Sequence, residues 1–448
     1  MLRIILPLLL LLPALAYAIN PRQAITDVPM RSGGIYYAYP VTADSLPPVP
    51  DGYRPAFIAH YGRHGSRWML DYSQFDEVLE ALNHADSIGN LTPRGREVLW
   101  MVDTIHRHAI GHVGELTPLG VSQHKAIASR MFRRFPSLFS GVTPVEARSS
   151  IEPRCIVSMS AFTEALKELN PSLVIDRHAT PSDYSGFIAS STPRQARHKH
   201  KSAPWRRDLA AFRDSVIPVD RLMSELFVDP ALVDGISANR FIRFLHNISV
   251  STQDTALDIP LHSLFTPDEL YAIWQGINYN MYVQHACAAV ADYSGPECAV
   301  PLMSRFISLI DSAVVSGDPG VALHFGHDTS LIRLLALMDI EGCSTVEVDP
   351  ARYADAWQDW RVSPMGANLQ VILFTPDAPV TSSPFADAFS LTPHSSLLTP
   401  NSSLPTPLIL LRHNEQPVRI AGLPGGPYYR WSDLRAHWLS RIPLVTRP

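Results

Sequence analysis

Between Pro55 and Trp68 the chain reads PAFIAHYGRHGSRW, an apolar stretch that breaks off into concentrated positive charge. Phe57-Ile58-Ala59 has the composition of a buried strand, and the run stops at Gly62. In an open α/β sheet, ligands bind beyond the carboxyl ends of the strands. A strand here therefore delivers the next residues to the edge of a cleft. Those residues are Arg63-His64-Gly65-Ser66-Arg67, two guanidiniums and an imidazole within five positions. Gly65 lets the backbone turn and come close to a ligand. Paired guanidinium forks suit a phosphate group, and an imidazole nitrogen that carries no proton can attack phosphorus.

The same arrangement recurs far along the chain. Val321-Ala322-Leu323-His324-Phe325 is strand-like and ends at Gly326-His327-Asp328-Thr329. A helix is expected next, with Leu331, Leu334, Leu335 and Met338 on its inner face and Asp328 placed as its N-cap. Val145-Glu146-Ala147-Arg148 reads as a third strand end. Ser149-Ser150 and a helix from Pro153 to Leu169 come next, with Cys155, Met159, Phe162, Leu166 and Leu169 as its apolar face. Arg154 lies in the first turn, off that face. A cation gains little at a helix N-terminus, so the position makes sense beside an anion. Thr92-Pro93 and Thr117-Pro118 each pair a good N-cap with proline at the first helical position.

Taken together, these residues resemble a known family. Arg63-His64-Gly65-x-Arg67 resembles the signature of the histidine acid phosphatases, the phytase-like branch of the histidine phosphatases. The mutase branch shares only Arg-His-Gly and lacks the second arginine. HFGHDTSLIRLL resembles the second family signature, in the His-Asp form; related inositol-polyphosphate phosphatases often carry His-Ala-Glu. Leu116 to Gln123 resembles the family's LTxxGxxQ segment, and SSIEPRCIVSMSAF the segment that supplies a third arginine. Where the family usually has proline, two residues after the second arginine, this chain has Met69.

The resemblance implies a doubly wound α/β histidine-phosphatase core with an inserted helical cap, and hydrolysis of phosphate monoesters. It implies His64 as nucleophile and Asp328 as general acid. It implies Arg63, Arg67, Arg154 and His327 as phosphate ligands. It implies no cofactor and no metal, because the arginines supply the charge that magnesium supplies elsewhere.

Residues 1–18 read as a secretory signal, with Arg3, an apolar run to Leu12 and cleavage after Ala16-Tyr17-Ala18. A secreted or periplasmic protein without stable membrane insertion is expected. Residues 19–183 form the first part of the core, 184–296 the helical cap and 297–448 the second part. A Pro/Ser/Thr-rich loop at 375–406 separates two strands, Asn368–Phe374 and 407–411. Net charge is −5, which argues against nucleic acid as the main partner. The partner is a phosphorylated small molecule. Arg194, Arg197, Lys199 and Lys201 lie in a basic patch running to Arg207 and are candidate cations for a substrate with several phosphates. Inositol hexakisphosphate is favoured, with sugar phosphates next. A non-catalytic binder of phosphorylated ligands is the alternative from another class. The four cysteines, Cys155, Cys287, Cys298 and Cys343, allow three pairings. Cys287–Cys298 is the first to test, and a fully reduced set is equally compatible. Arg412-His413 lacks the glycine and second arginine and is read as structural.

Overall fold

The computed structural model describes residues 20–41, 46–141, 143–180, 191–377 and 406–446. The expected signal segment, residues 184–190 of the expected cap and most of the 375–406 insert lie outside the described residues.

Among the described residues eight strands form one sheet: β1 (Tyr53–Arg63), β2 (Val145–Ser149), β3 (Ile175–His178), β4 (Gly320–Gly326), β5 (Asn368–Pro376), β6 (Leu408–His413), β7 (Gln416–Pro417) and β8 (Tyr428–Arg430). Their order is β3-β2-β4-β1-β5-β6-β7, with β8 beside β6. The first four run parallel. β5 is antiparallel to β1, and β6 to β5, which makes the hairpin expected around the insert.

Successive residues of a strand point to opposite faces, and both faces of this sheet are covered. Ile58, Leu323 and Ile372 pack against Ile127 and Met131 of helix Pro118–Arg134 and against Phe162 and Leu166 of helix Pro153–Leu169. Ala59, Tyr61 and Val371 face the other way. They meet Phe306 and Ile310 of helix Val300–Ser316 and Leu331 and Leu335 of helix Asp328–Leu337. Parallel strands buried on both faces are the doubly wound arrangement. On helix Pro153–Leu169 the expected inner face stops at Leu166; Leu169, at the last helical position, is exposed.

The described part of 184–296 is built from helices, among them Pro193–Lys199, Pro204–Val216, Asp220–Leu226, Ala238–Ser251 and Pro267–His285. The last opens on a capping box made by Thr266 and Glu269,. Its Tyr279 and Tyr282 join the core beneath the sheet, while Leu270 and Trp274 join a second core with Phe241 and Leu245. One buried helix thus ties the helical region to the sheet.

All four cysteines are buried and free. Cys298 Sγ donates to the Ser294 carbonyl of its own turn and Cys287 Sγ is directed to the Ala336 carbonyl; the Cys287–Cys298 bridge is not formed. Among the described residues no helix is long and apolar enough to cross a membrane.

Candidate active site

Register brings three strand ends to one line. Arg63 pairs with Gly326 and Ser149 with Phe325. The next residue of each segment is then tied across the gap: His64 N–H donates to the Gly326 carbonyl (3.0 Å) and Ser150 N–H to the Phe325 carbonyl (2.9 Å). The Arg-His-Gly turn, the His-Asp turn and the start of helix Pro153–Leu169 therefore share one floor.

The LTxxGxxQ segment does more than start a helix. Thr117 caps helix Pro118–Arg134 through the Gly120 N–H (3.2 Å) and donates its hydroxyl to the Ser66 carbonyl (3.0 Å). The Gln123 amide grips Ser66 at both ends, accepting from its N–H (2.8 Å) and donating to its Oγ (2.9 Å). The helix start lies so close to the turn that a Cβ on Gly65 would sit 2.6 Å from the Gly120 carbonyl oxygen. A Cβ on Gly120 would sit 2.2 Å from the Ser66 carbonyl oxygen. Each obstacle is backbone, so neither clash is relieved by a rotamer change. Gly65→Ala or Gly120→Ala is expected to cost about 1–3 kcal/mol in stability through overpacking. Each should also lower kcat/KM on the order of 100-fold by moving the turn. Denaturant titration and steady-state kinetics check both, and wild-type kcat/KM in both variants would mean that catalysis does not depend on this brace.

Arg63 is fully buried. Its Nη1 donates to the carbonyls of Ile35 and Ser363 (2.7 Å for the latter), and its Nη2 lies 3.1 Å from Asp328 Oδ2. Arg67 is also buried, donates to the Trp68 carbonyl (2.8 Å) and lies over the Tyr36 ring. Arg154 holds Glu152 (2.9 Å), and its carbonyl accepts from Ser158 Oγ, which in turn accepts from the Gly65 N–H (3.2 Å). The Nε of each of these three arginines is buried without a hydrogen-bond partner among the described residues. The imidazole of His327 meets that of His64 edge-on at 5.9 Å, with its Nε2 3.3 Å from Ser150 Oγ.

His64 is buried, and its Nδ1 lies 2.9 Å from the Gly65 carbonyl. A carbonyl only accepts, so Nδ1 carries the proton and Nε2 the lone pair. Burial, with the charges of Arg63 and Arg67, holds the imidazole well below its ordinary pKa. Asp328 occupies the first helical position; the N-cap is His327, so Asp328 is not the cap its sequence context suggested. Its Oδ1 accepts from the Thr329 N–H (2.6 Å). Burial raises the Asp328 pKa, but Arg63, His327, the Thr329 N–H and Arg67 outweigh it and hold the carboxyl below the ordinary carboxylate range.

The basic patch does not act as one surface. Arg194 is turned to Glu297 (3.0 Å), Asp292 (3.4 Å) and the Val445 carbonyl. Arg197 and Lys201 are exposed. Lys199 is half-buried, and its pKa is lowered by burial and then by Arg333. The charges of Arg333, Lys199, Asp328 and His198 all act on the buried His285, so Lys199 and His198 share an electrostatic neighbour with Asp328. Arg412 is buried on Gln370 (2.9 Å), and His413 bonds the Val362 carbonyl (2.7 Å), a structural pair.

The carbonyls of Ile35 and Ser363 and the carboxyl of Asp254 left no signal in the sequence: backbone acceptors carry none, and Asp254 sits in no motif. Met69 pairs its carbonyl with the Gly114 N–H (2.7 Å) while Trp68 N–H bonds the Glu115 carbonyl (2.9 Å). A short ladder thus holds the turn where the family pattern has proline.

The fold is that of the histidine acid phosphatases. The Bifidobacterium longum multiple inositol polyphosphate phosphatase, solved with inositol hexasulfate, superposes with a TM-score of 0.71 at 18% identity, over 91% of this chain and 97% of that one. Its phosphate complex gives 0.72 at 18% identity, over 92% and 98%. The phytase from D. castellii gives 0.64 at 14% identity, over 92% and 85%. No protein-family model and no curated protein matches the sequence.

Proposed function

We propose that this protein is a phosphomonoesterase that forms a phosphohistidine on His64 and acts on inositol polyphosphates. The observation that carries the reading is the state of His64. Its proton is locked on the Gly65 side, its Nε2 keeps a lone pair, and Arg63 and Arg67 lie beside it with Asp328 on Arg63. Arg63, Arg67, Arg154 and His327 hold the phosphate oxygens and stabilise the charge that shifts in transfer. Nε2 attacks phosphorus, the P–O bond to the leaving alcohol breaks, and Asp328 gives that oxygen its proton. Water then attacks the phosphohistidine while Asp328 takes a proton back. The P–N bond breaks, and inorganic phosphate leaves with His64 restored.

The neighbouring structures of this fold are named for inositol polyphosphates and phytase activity, and Lys199, whose charge acts on the same buried His285 as that of Asp328, supports a substrate with several phosphates. Substrate anions beyond the one transferred gain from further cations near the site. Lys199→Gln is expected to raise KM for inositol hexakisphosphate roughly three- to tenfold at low salt, a modest gain from one half-buried charge. p-Nitrophenyl phosphate should change little, and the difference should shrink at high salt. Equal KM shifts on the two substrates would favour a sugar phosphate or other monophosphate as the natural substrate.

A further inference from the structure

Asp254 lies in the short turn Thr252–Asp254 and is 2% exposed. It borders a pocket of about 90 Å³ with Tyr36, Arg67, Asp71, Gln74 and Asn247, on the side of the second motif arginine. The Ser66 side chain acts on its carboxyl and pulls its pKa down against burial. Ser66 Oγ accepts from the Gln123 amide, which leaves its own proton free to turn toward an acceptor. The carboxyl oxygen Oδ1 is buried without a partner among the described residues. An ionised oxygen left so is costly; a protonated carboxyl is far less so.

We propose that Asp254 is a positioning residue of the phosphate site that works as the neutral acid, leaving the charge of Arg67 to the substrate. Once ionised, it competes with the substrate for that arginine. The inference rests on the reading that Arg67 binds phosphate. Burial raises the Asp254 carboxyl to about 7 against the opposing pull of Ser66, Arg67 and Arg63. Asp71 shares the pocket, and Tyr36 lies under Arg67. On the neighbouring elements, His246 bonds Ser32 and His262 bonds Ser249. Burial lowers His246 to about 3 and also lowers His262, so both stay uncharged as Asp254 titrates. With its raised pKa, the Asp254 carboxyl is protonated and compatible with a bound anion below about 7, and anion affinity falls as pH rises through that value,.

Sulfate tests this without turnover, because it stays doubly charged across the range. By calorimetry, the ratio of wild-type to Asp254→Asn Kd for sulfate should be level from about pH 5 to 6.5 and rise roughly tenfold by about pH 8.5. Asp254→Asn mimics the neutral acid and keeps only the pH dependence that other groups such as Asp328 contribute in both proteins. Proton uptake on sulfate binding, measured in buffers of different ionisation enthalpy, should exceed that of Asp254→Asn by near zero at about pH 5 and by close to one proton at about pH 8, the proton taken up by Asp328 being common to both. An excess uptake over the Asn variant that fails to grow with rising pH, or an Asn variant as pH-sensitive as the wild type, overturns the role of Asp254. A wild type that binds no sulfate even at about pH 5 overturns the phosphate site itself.

Discussion

His64→Ala is expected to lower phosphomonoesterase turnover roughly 10⁴-fold or more, the scale on which loss of a covalent nucleophile is felt. The effect should fall on chemistry and not on folding, since the imidazole contributes one hydrogen bond to the neighbouring Gly65 carbonyl while Gln123, Thr117 and Ser158 hold the turn. Rapid quench of the wild type with labelled substrate should trap a phosphoryl group that survives base and is lost in acid. The alanine variant should trap none. The same geometry sets the pH behaviour. With its pKa held well below the ordinary value by burial and two guanidiniums, Nε2 keeps its lone pair at acidities that protonate an exposed histidine. Rate should therefore persist into acid until pH drops through that lowered pKa. A His64→Ala protein with wild-type turnover would end the phosphohistidine mechanism.

Much of the fold and the site is legible in the sequence. Phe57-Ile58-Ala59 and Val321–Phe325 announce strands because an apolar run stopped by glycine has few other uses. Register then does what no single motif can, setting Arg63 beside Gly326. The glycines hide their reason: Gly65 reads as a turn residue, and its real constraint is the helix start of Gly120 pressed against it. The basic patch misleads in a different way. Charge density along the sequence says nothing about the direction of a side chain, so Arg194, tied to Glu297, looks equivalent to Lys199. Asp254 cannot be found at all, since a carboxylate acquires meaning there only from the tertiary approach of Ser66 and Arg67. The cysteines fall between these cases: an exported chain would be permitted disulfides, but all four thiols are buried and free.

Asp328→Asn is expected to separate substrates by their leaving groups. In the ligand-free protein the carboxyl is ionised and lies 3.1 Å from Arg63 Nη2. Burial pushes its pKa up, but Arg63, His327, the Thr329 N–H and Arg67 together hold it below the ordinary range. A phosphate dianion entering the site takes over those guanidiniums and places negative charge beside the carboxylate, and both changes favour its protonation. The acid needed by the leaving alkoxide is thus generated by the substrate that needs it. In the wild type, kcat should fall as pH rises through an apparent pKa higher than that of Asp328 in the free enzyme. An alkyl phosphate, whose alkoxide leaves poorly without a proton, should lose about 10²- to 10⁴-fold in kcat in the asparagine variant. p-Nitrophenolate leaves without help, so p-nitrophenyl phosphate should stay within about tenfold of wild type. Its survival also shows that Arg63, deprived of its anionic neighbour, still holds phosphate. Equal losses on the two substrates would assign Asp328 to keeping Arg63 in place and leave the leaving group to another acid.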